Sequence, residues 1–230
     1  MDGKQANPYA QPGFYLADCM DAMRRFPDGF FDLAIVDPPY GIGADEGTGG
    51  YGITDSRHYT AKWDNAIPPK EYFNELFRVS CNQIIWGAQY FTDYLTRGNK
   101  WIVWDKTGEG NYKNPYSKCE LAWTSKKGIV DKFVSIQMGF IATAKENRIH
   151  PTQKPVRLYE WLLKNYANPG DKILDTHVGS ASSLIACHRG GYDYWGFEID
   201  ETYYRMAKER LDREKAQVSI FNIEEFDDGR

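Results

Sequence analysis

Between Asp171 and Glu198 the sequence sets out a strand (Lys172-Ile173-Leu174-Asp175), a turn of small residues (Thr176-His177-Val178-Gly179-Ser180-Ala181-Ser182) and a helix (Ser183 to Arg189). A Gly190-Gly191 stop and a second strand (Tyr194-Trp195-Gly196-Phe197) ending in Glu198 complete the unit. This is a βαβ unit, which commits the chain to an α/β sheet with parallel neighbours. In such sheets ligands bind outside the carboxyl ends of the strands, where the loop after Asp175 begins. Gly179, Ser180 and Ala181 let the backbone pass close to a bound molecule, and Glu198 is placed to accept both hydroxyls of a ribose. The loop lacks a full G-x-G-x-x-G and offers no pyrophosphate cradle. A nucleoside cofactor without phosphates is therefore the better match, and a purely structural turn is the competing reading.

A second site feature lies near the N-terminus. The apolar run Phe31, Leu33, Ala34, Ile35, Val36 opens into Asp37-Pro38-Pro39-Tyr40 and then into glycine-rich sequence. Each proline lacks an N–H and has a fixed φ, so the carbonyls of Asp37 and Pro38 are free to point into a pocket instead of a sheet ladder. One carboxylate, two rigid carbonyls and an aromatic ring suit a planar group bearing an NH2: the acceptors take its hydrogens and the ring stacks on its face.

Size and composition fit one domain. The chain has 230 residues, 42% of them hydrophobic, with no composition break. Its longest apolar runs are strand-sized, so a cytoplasmic protein without a membrane span or signal peptide is expected. Cys19, Cys81, Cys119 and Cys187 form no C-x-x-C pair, and His58, His150, His177 and His188 show no ligand spacing. No metal is implied. The net charge of −4 excludes a generic nucleic-acid coat protein, so a polyanionic partner must meet a local basic face.

With both motifs in view, the chain resembles the amino-methyltransferases that modify exocyclic amines of DNA bases with S-adenosylmethionine. Asp37-Pro38-Pro39-Tyr40 looks like the catalytic motif, and Asp175 to Ser182 like the cofactor loop. The catalytic motif comes first, as in the circularly permuted β group, which contains adenine and cytosine enzymes. His150-Pro151-Thr152-Gln153-Lys154-Pro155 matches the string that precedes the cofactor strand in that group and helps hold the methionine end of the cofactor. The resemblance implies a Rossmann-like class I methyltransferase fold, a mostly parallel seven-stranded sheet with helices on both faces. It makes Asp37, Pro38, Pro39 and Tyr40 catalytic. Its cofactor contacts are Asp18, Asp37, His150, Thr152, Gln153, Lys154, Asp175, His177, Gly179, Ser180, Ala181, Ser182 and Glu198. His177 stands where phenylalanine is usual, and Ala181 where a second glycine is usual.

The topology read from the residues agrees. A helix over Glu201 to Lys215 follows Glu198, so the remaining parallel strands are expected at the N-terminus: Phe14-Tyr15-Leu16 ending at Asp18, a helix (Asp21 to Phe26), a Pro27-Asp28-Gly29 turn and the strand into Asp37. In the family an acidic residue at Asp18 contacts the cofactor's adenine ring; a helix cap is the alternative. Lys70 to Arg78 reads as a helix, Asn82 to Trp86 as a strand, Gln89 to Leu95 as a short helix, and Lys100 to Trp104 with Cys119 to Thr124 as an antiparallel pair. Trp86 either lines the target pocket or packs in the core.

Two stretches suggest contact with DNA. Residues 41–65 form a glycine-rich loop with Tyr51, His58 and Tyr59, expected to be a flexible lid or binding loop. Residues 126–149 carry Lys126, Lys127, Lys132, Lys145 and Arg148 against Asp131 and Glu146, where the family places its target-recognition region; Arg97 and Asn111-Tyr112-Lys113-Asn114 extend this face. So short a region suggests a short or loosely read target and a homodimer. No restriction-enzyme partner is specified. The expected activity is methylation of the N6 amine of adenine in duplex DNA with one base flipped out, with cytosine N4 as the alternative. A methyltransferase acting on RNA or a protein amide and a non-catalytic cofactor-fold module are the other classes left open.

Overall fold

The structure is a computed structural model and describes residues 6–43, 64–96, 100–108, 110, 117–138, 141–142, 149–150 and 152–224. In chain order the elements are β1 (Gly13–Leu16), α1 (Cys19–Met23), β2 (Phe31–Val36), α2 (Lys70–Val79), β3 (Ser80–Trp86), β4 (Lys100–Asp105), β5 (Cys119–Thr124), β6 (Asp131–Val134), β7 (Gln137–Met138) and β8 (Ile141–Ala142). They continue with α3 (Val156–Tyr166), β9 (Lys172–Asp175), α4 (Ser182–Gly190), β10 (Asp193–Glu198) and α5 (Glu201–Glu224). The main sheet runs β1-β10-β9-β2-β3-β5-β4-β6, and β7 pairs with β8 apart from it.

Eight strands make the sheet, one more than expected, because β6 joins β4 in parallel at the far edge. Within the described residues only β5 runs against the others, antiparallel to both β3 and β4. The two N-terminal strands flank the C-terminal pair: β1 lies against β10, with Leu16 opposite Glu198, and β2 lies against β9, with Ala34 opposite Leu174.

Both faces of the sheet are covered because its strands alternate apolar residues on each side. Leu33, Ile35, Ile84, Trp86 and Ile173 pack under Leu158 and Leu162 of α3, Leu184 and Ile185 of α4, and Ala207 and Leu211 of α5. Ala34, Val36, Ile85, Leu174 and Phe197 pack on the other side against Ala22 and Met23 of α1 and Tyr72, Phe73 and Leu76 of α2.

Several expected elements shift. Helix α1 starts at Cys19, earlier than the expected Asp21, because Asp18 caps it by accepting from the N–H groups of Met20 and Asp21. The expected helix from Gln89 contracts to a single 3-10 turn, Ala88–Tyr90, entered through Gly87 at φ +67°. Trp86 is fully buried and belongs to the core. Among the described residues, no helix is long and apolar enough to cross a membrane.

Candidate active site

Because β1, β10, β9, β2 and β3 are parallel, their carboxyl ends share one edge of the sheet, and Asp18, Glu198, Asp175, Asp37 and Gly87 emerge there together. Strand β5 runs the other way, so its first residues, including Glu120, reach the same edge, and so does Lys106 just past β4.

Asp37 is held from both sides. Tyr40 donates its hydroxyl to Asp37 Oδ1, and the Lys154 ammonium donates to Asp37 Oδ2. Lys154 also lies 3.2 Å from Glu120 Oε2 and 3.4 Å from the Tyr40 hydroxyl. The Lys154 side chain is only 3% exposed, so its charge needs these partners. Burial opposes the charge, but the Asp37 and Glu120 carboxylates outweigh it and hold the ammonium above its ordinary range. Glu120 is in turn bound by Lys106 at 3.0 Å; burial disfavours its ionised form, yet Lys154 and Lys106 keep its carboxyl below the usual range.

Tyr40 is fixed by its surroundings. Its ring stacks on Tyr90, with centroids 5.3 Å apart and planes 22° apart, and its other contacts include Phe91 and the bare Cα of Gly87. Asp64, 1% exposed, ties down the chain after the prolines: it accepts from the N–H groups of Tyr40 at 2.6 Å, Gly41 at 2.8 Å and Ile42 at 3.3 Å.

Beside this cluster lies the loop after β9. Asp175 is buried, and its oxygens accept the His177 N–H and the Ser183 hydroxyl, both neutral donors. Burial, reinforced by the nearby charges of Asp37 and Glu198, pushes the Asp175 carboxyl up to about 7. Glu198 accepts the Gly179 N–H at 2.9 Å and the Asp200 N–H at 3.0 Å, so β10 and the loop are joined. Ala181 sits at φ +62°, the left-handed region in which glycine carries no Cβ penalty, which accounts for the glycine expected there. Ser180 and Ser182 are buried and bond each other at 3.1 Å, with Arg210 donating to the Ser180 carbonyl at 2.6 Å. The His177 ring accepts or donates at Thr176 Oγ1, 2.9 Å away, which in turn meets the Tyr72 hydroxyl at 2.7 Å. Burial depresses the imidazole to about 4.

The 150–154 segment splits between the two halves. His150 packs on the Tyr203 ring and lies where a Cβ on Gly179 would meet it at 3.6 Å, while Thr152 caps it through Nδ1. Gln153 accepts the Ile149 N–H at 3.1 Å, and Lys154 turns to Asp37. Pro151 lies outside the described residues, as do 44–63 of the glycine-rich loop, Arg97, Asn111 to Asn114, Lys145 and Arg148. Of the basic face, Lys126 donates to the Tyr166 carbonyl at the end of α3 and Lys132 pairs with Asp105 at 3.4 Å, leaving Lys127 exposed.

Sequence reasoning does not find Glu120, Lys106, Asp64 or Tyr90. Their signals are single polar or aromatic residues on other strands and turns, and only the closed sheet gathers them around Asp37.

Comparison with known proteins points the same way. The profile of a DNA methylase family of N6/N4 methyltransferases matches residues 31–209. The type II methyltransferase M.HpaI of Haemophilus parainfluenzae is 28% identical over 237 residues, covering 86% of this chain and 73% of that protein. Among solved structures, the M1.HpyAVI–SAM complex superimposes with a TM-score of 0.56 at 18% identity over 86% of this chain and 98% of that one. The cytosine-N4-specific PvuII DNA methyltransferase does so with 0.56 at 13% identity over 94% and 95%. At these identities the two structures speak for the fold.

Proposed function

We propose, from the premise that this chain belongs to the N6/N4 DNA methylase family, that it methylates the exocyclic N6 amine of adenine in DNA with S-adenosylmethionine. The observation that carries this reading is the juxtaposition, across paired strands β2 and β9, of an amine-accepting Asp37 with the loop from Asp175 to Ser182.

The residues present fit the cofactor. Asp175, Asp37 and Glu198 converge, and the described partners of Asp175 are neutral, so a cationic sulfonium relieves a repulsion already present. Glu198 accepts backbone N–H groups of Asp200, Gly179 and Ile199 and retains acceptor capacity for a ribose hydroxyl. Asp18, the 175–182 loop, His150, Thr152 and Gln153 complete the set of holding residues, while Lys154, expected among them, turns to Asp37. When bound, S-adenosylmethionine supplies an electrophilic methyl group.

The protein's part is acceptance and orientation. Asp37 and the Pro38 carbonyl take the two N–H bonds of the target amine, drawing its lone pair out of conjugation and favouring a tetrahedral nitrogen. Since the Tyr40 hydroxyl already occupies Asp37 Oδ1, the amine enters by displacing it, and the Tyr40 ring then serves as a stacking surface for the flipped base. The proton lost from nitrogen passes to Asp37 or, by way of it, to water. Positioning supplies most of the acceleration, with no covalent intermediate on the protein. Adenine is preferred because, in the permuted family that the sequence resembles, an Asp at the first position of the motif goes mainly with adenine and a Ser with cytosine. The circularly permuted order, which β1 lying against β10 supports, belongs to the same reading, as do a single domain, DNA contact through the basic face and a homodimer.

Incubating the protein with unmethylated duplex DNA and methyl-labelled cofactor, then digesting to nucleosides, tests this. Label is expected in N6-methyladenine. Label mainly on cytosine overturns the base assignment, and label on neither base brings forward the protein-amide or non-catalytic reading.

A further inference from the structure

Four charged side chains run in a line from the outer part of the sheet to the proposed acceptor: Lys106, Glu120, Lys154 and Asp37. Their separations are 3.0 Å from Lys106 to Glu120 Oε1 and 3.2 Å from Glu120 Oε2 to Lys154, and the last link is the Lys154–Asp37 pair. The line is neutral as a whole and comes from four different places in the chain: the ends of β4 and β2, the start of β5 and the segment before α3. Three links between ordinary surface charges would be worth little. Here the Lys154 side chain is 3% exposed and lies under the Tyr40 and Trp86 rings, with its nitrogen 5.9 and 5.4 Å from their centroids.

Lys154 creates a difficulty for the reaction proposed above. An ammonium pressed on Asp37 draws off the acceptor strength that the target amine needs, and removing it without a substitute partner leaves a buried unpaired charge, which is strongly unfavourable. The second carboxylate resolves this. Glu120 Oε2 already stands within reach of the same nitrogen, and Lys106 holds the other Glu120 oxygen so that Oε2 keeps facing inward.

We propose that Glu120 is a positioning residue for methyl transfer: as the amine docks on Asp37, Lys154 moves its main ion pair from Asp37 to Glu120, with Lys106 anchoring the acceptor. No bond is made or broken in this exchange, and the charge of the cluster stays constant. Glu120 acts only through Lys154 and touches neither the base nor the cofactor. The inference rests on the amine-methylation reading and assigns a task to two residues that its motifs do not include.

The test is a double-mutant cycle in the full chain with Glu120→Gln, Lys154→Met and the pair, using unmethylated genomic duplex DNA and labelled cofactor. Glu120→Gln should lower the single-turnover rate at saturating DNA by about tenfold or more while changing cofactor affinity by less than about threefold. The double variant should be no slower than Lys154→Met within about twofold, and Glu120→Asp, which keeps the charge, should recover part of the rate. Should Glu120→Gln fail to fold, Lys106→Met replaces it, with a rate loss of about threefold expected from a loosened Glu120. A parental rate in Glu120→Gln, or losses that multiply in the double variant, overturns the exchange while leaving the function intact. A parent protein that transfers no methyl to DNA removes both.

Discussion

At Asp37 a single carboxylate collects a hydroxyl, an ammonium and, in the proposed reaction, an amine. Asp37→Ala should therefore cut methyl transfer by at least about a hundredfold, in line with the loss of one preorganised acceptor. Cofactor affinity should stay within about threefold, because the contacts proposed for Glu198 and the 175–182 loop survive. Calorimetry beside the transfer assay reads both, and a parallel loss in the two would mean that Asp37 serves the cofactor. The residues of this centre differ in how legible they were. Asp37, Tyr40 and Lys154 stand in recognisable strings, so their chemistry could be read before the fold was known, although the strings placed Lys154 with the cofactor and the structure brings it to Asp37. Asp64 could not be found in this way. It lies 24 positions beyond Tyr40, and its role as a cap for three consecutive N–H groups exists only once the chain has turned back. Asp18 shows the opposite case: its capping of α1 follows from local sequence alone.

At the level of elements, periodicity and end signals recovered the βαβ unit, β2, α2 and the β4–β5 pair close to their observed bounds. Helix α3 is one element the sequence reading leaves out, despite Val156, Tyr159, Leu162, Leu163 and Tyr166 recurring at helical spacing after Pro155. Strand β6 was hidden for another reason: Asp131–Val134 is short, and its partner β4 is fixed only by the whole sheet. The junction between β3 and the following 3-10 turn carries a sharper constraint. Gly87 has φ +67°, and a Cβ there would lie 2.0 Å from Tyr40 Cε1. Gly87→Ala should cost about 1–2 kcal/mol in backbone strain and dislodge the Tyr40 ring. Methyl transfer should fall by about tenfold or more as the ring leaves its seat. Denaturant titration and the transfer assay measure the two effects, and a variant with the parental rate would show that the seat of Tyr40 does not matter.

Across the molecule, buried titratable groups at the sheet edge tie stability to pH. His177 is depressed to about 4 and His150 to about 3, by burial and, for His150, by the Lys154 charge as well. A depressed histidine contributes stability that is present above its unfolded value and lost as pH falls, so both weaken the fold between about pH 6.5 and 4. Asp175 acts in the opposite sense. Raised to about 7, its term is largest in acid and is lost as pH rises from about 4 to 7, so it offsets part of the histidine effect. His177→Phe removes one of the two acid-sensitive terms. Between pH 7.5 and pH 5 the variant should lose about 1–2 kcal/mol less stability than the parent, the ring being only partly buried. Urea titrations at both pH values decide this; equal losses would mean that His177 titrates normally in the folded protein.

The same arrangement that sets β9 between β2 and β10 also sets an order in time. Strand β2 leaves the ribosome well before the strand it pairs with on that side: the bond from the Lys172 N–H to Asp32 spans 140 residues. At about 5–20 residues per second, the β2 edge waits on the order of ten seconds or more during synthesis before its neighbour exists. For that interval Leu33 to Val36 form an open apolar ribbon, with β3 available on one side only. A newborn chain is thus most vulnerable to aggregation before β9 appears, and β9 and β10, made after β2, fill the gap between β1 and β2.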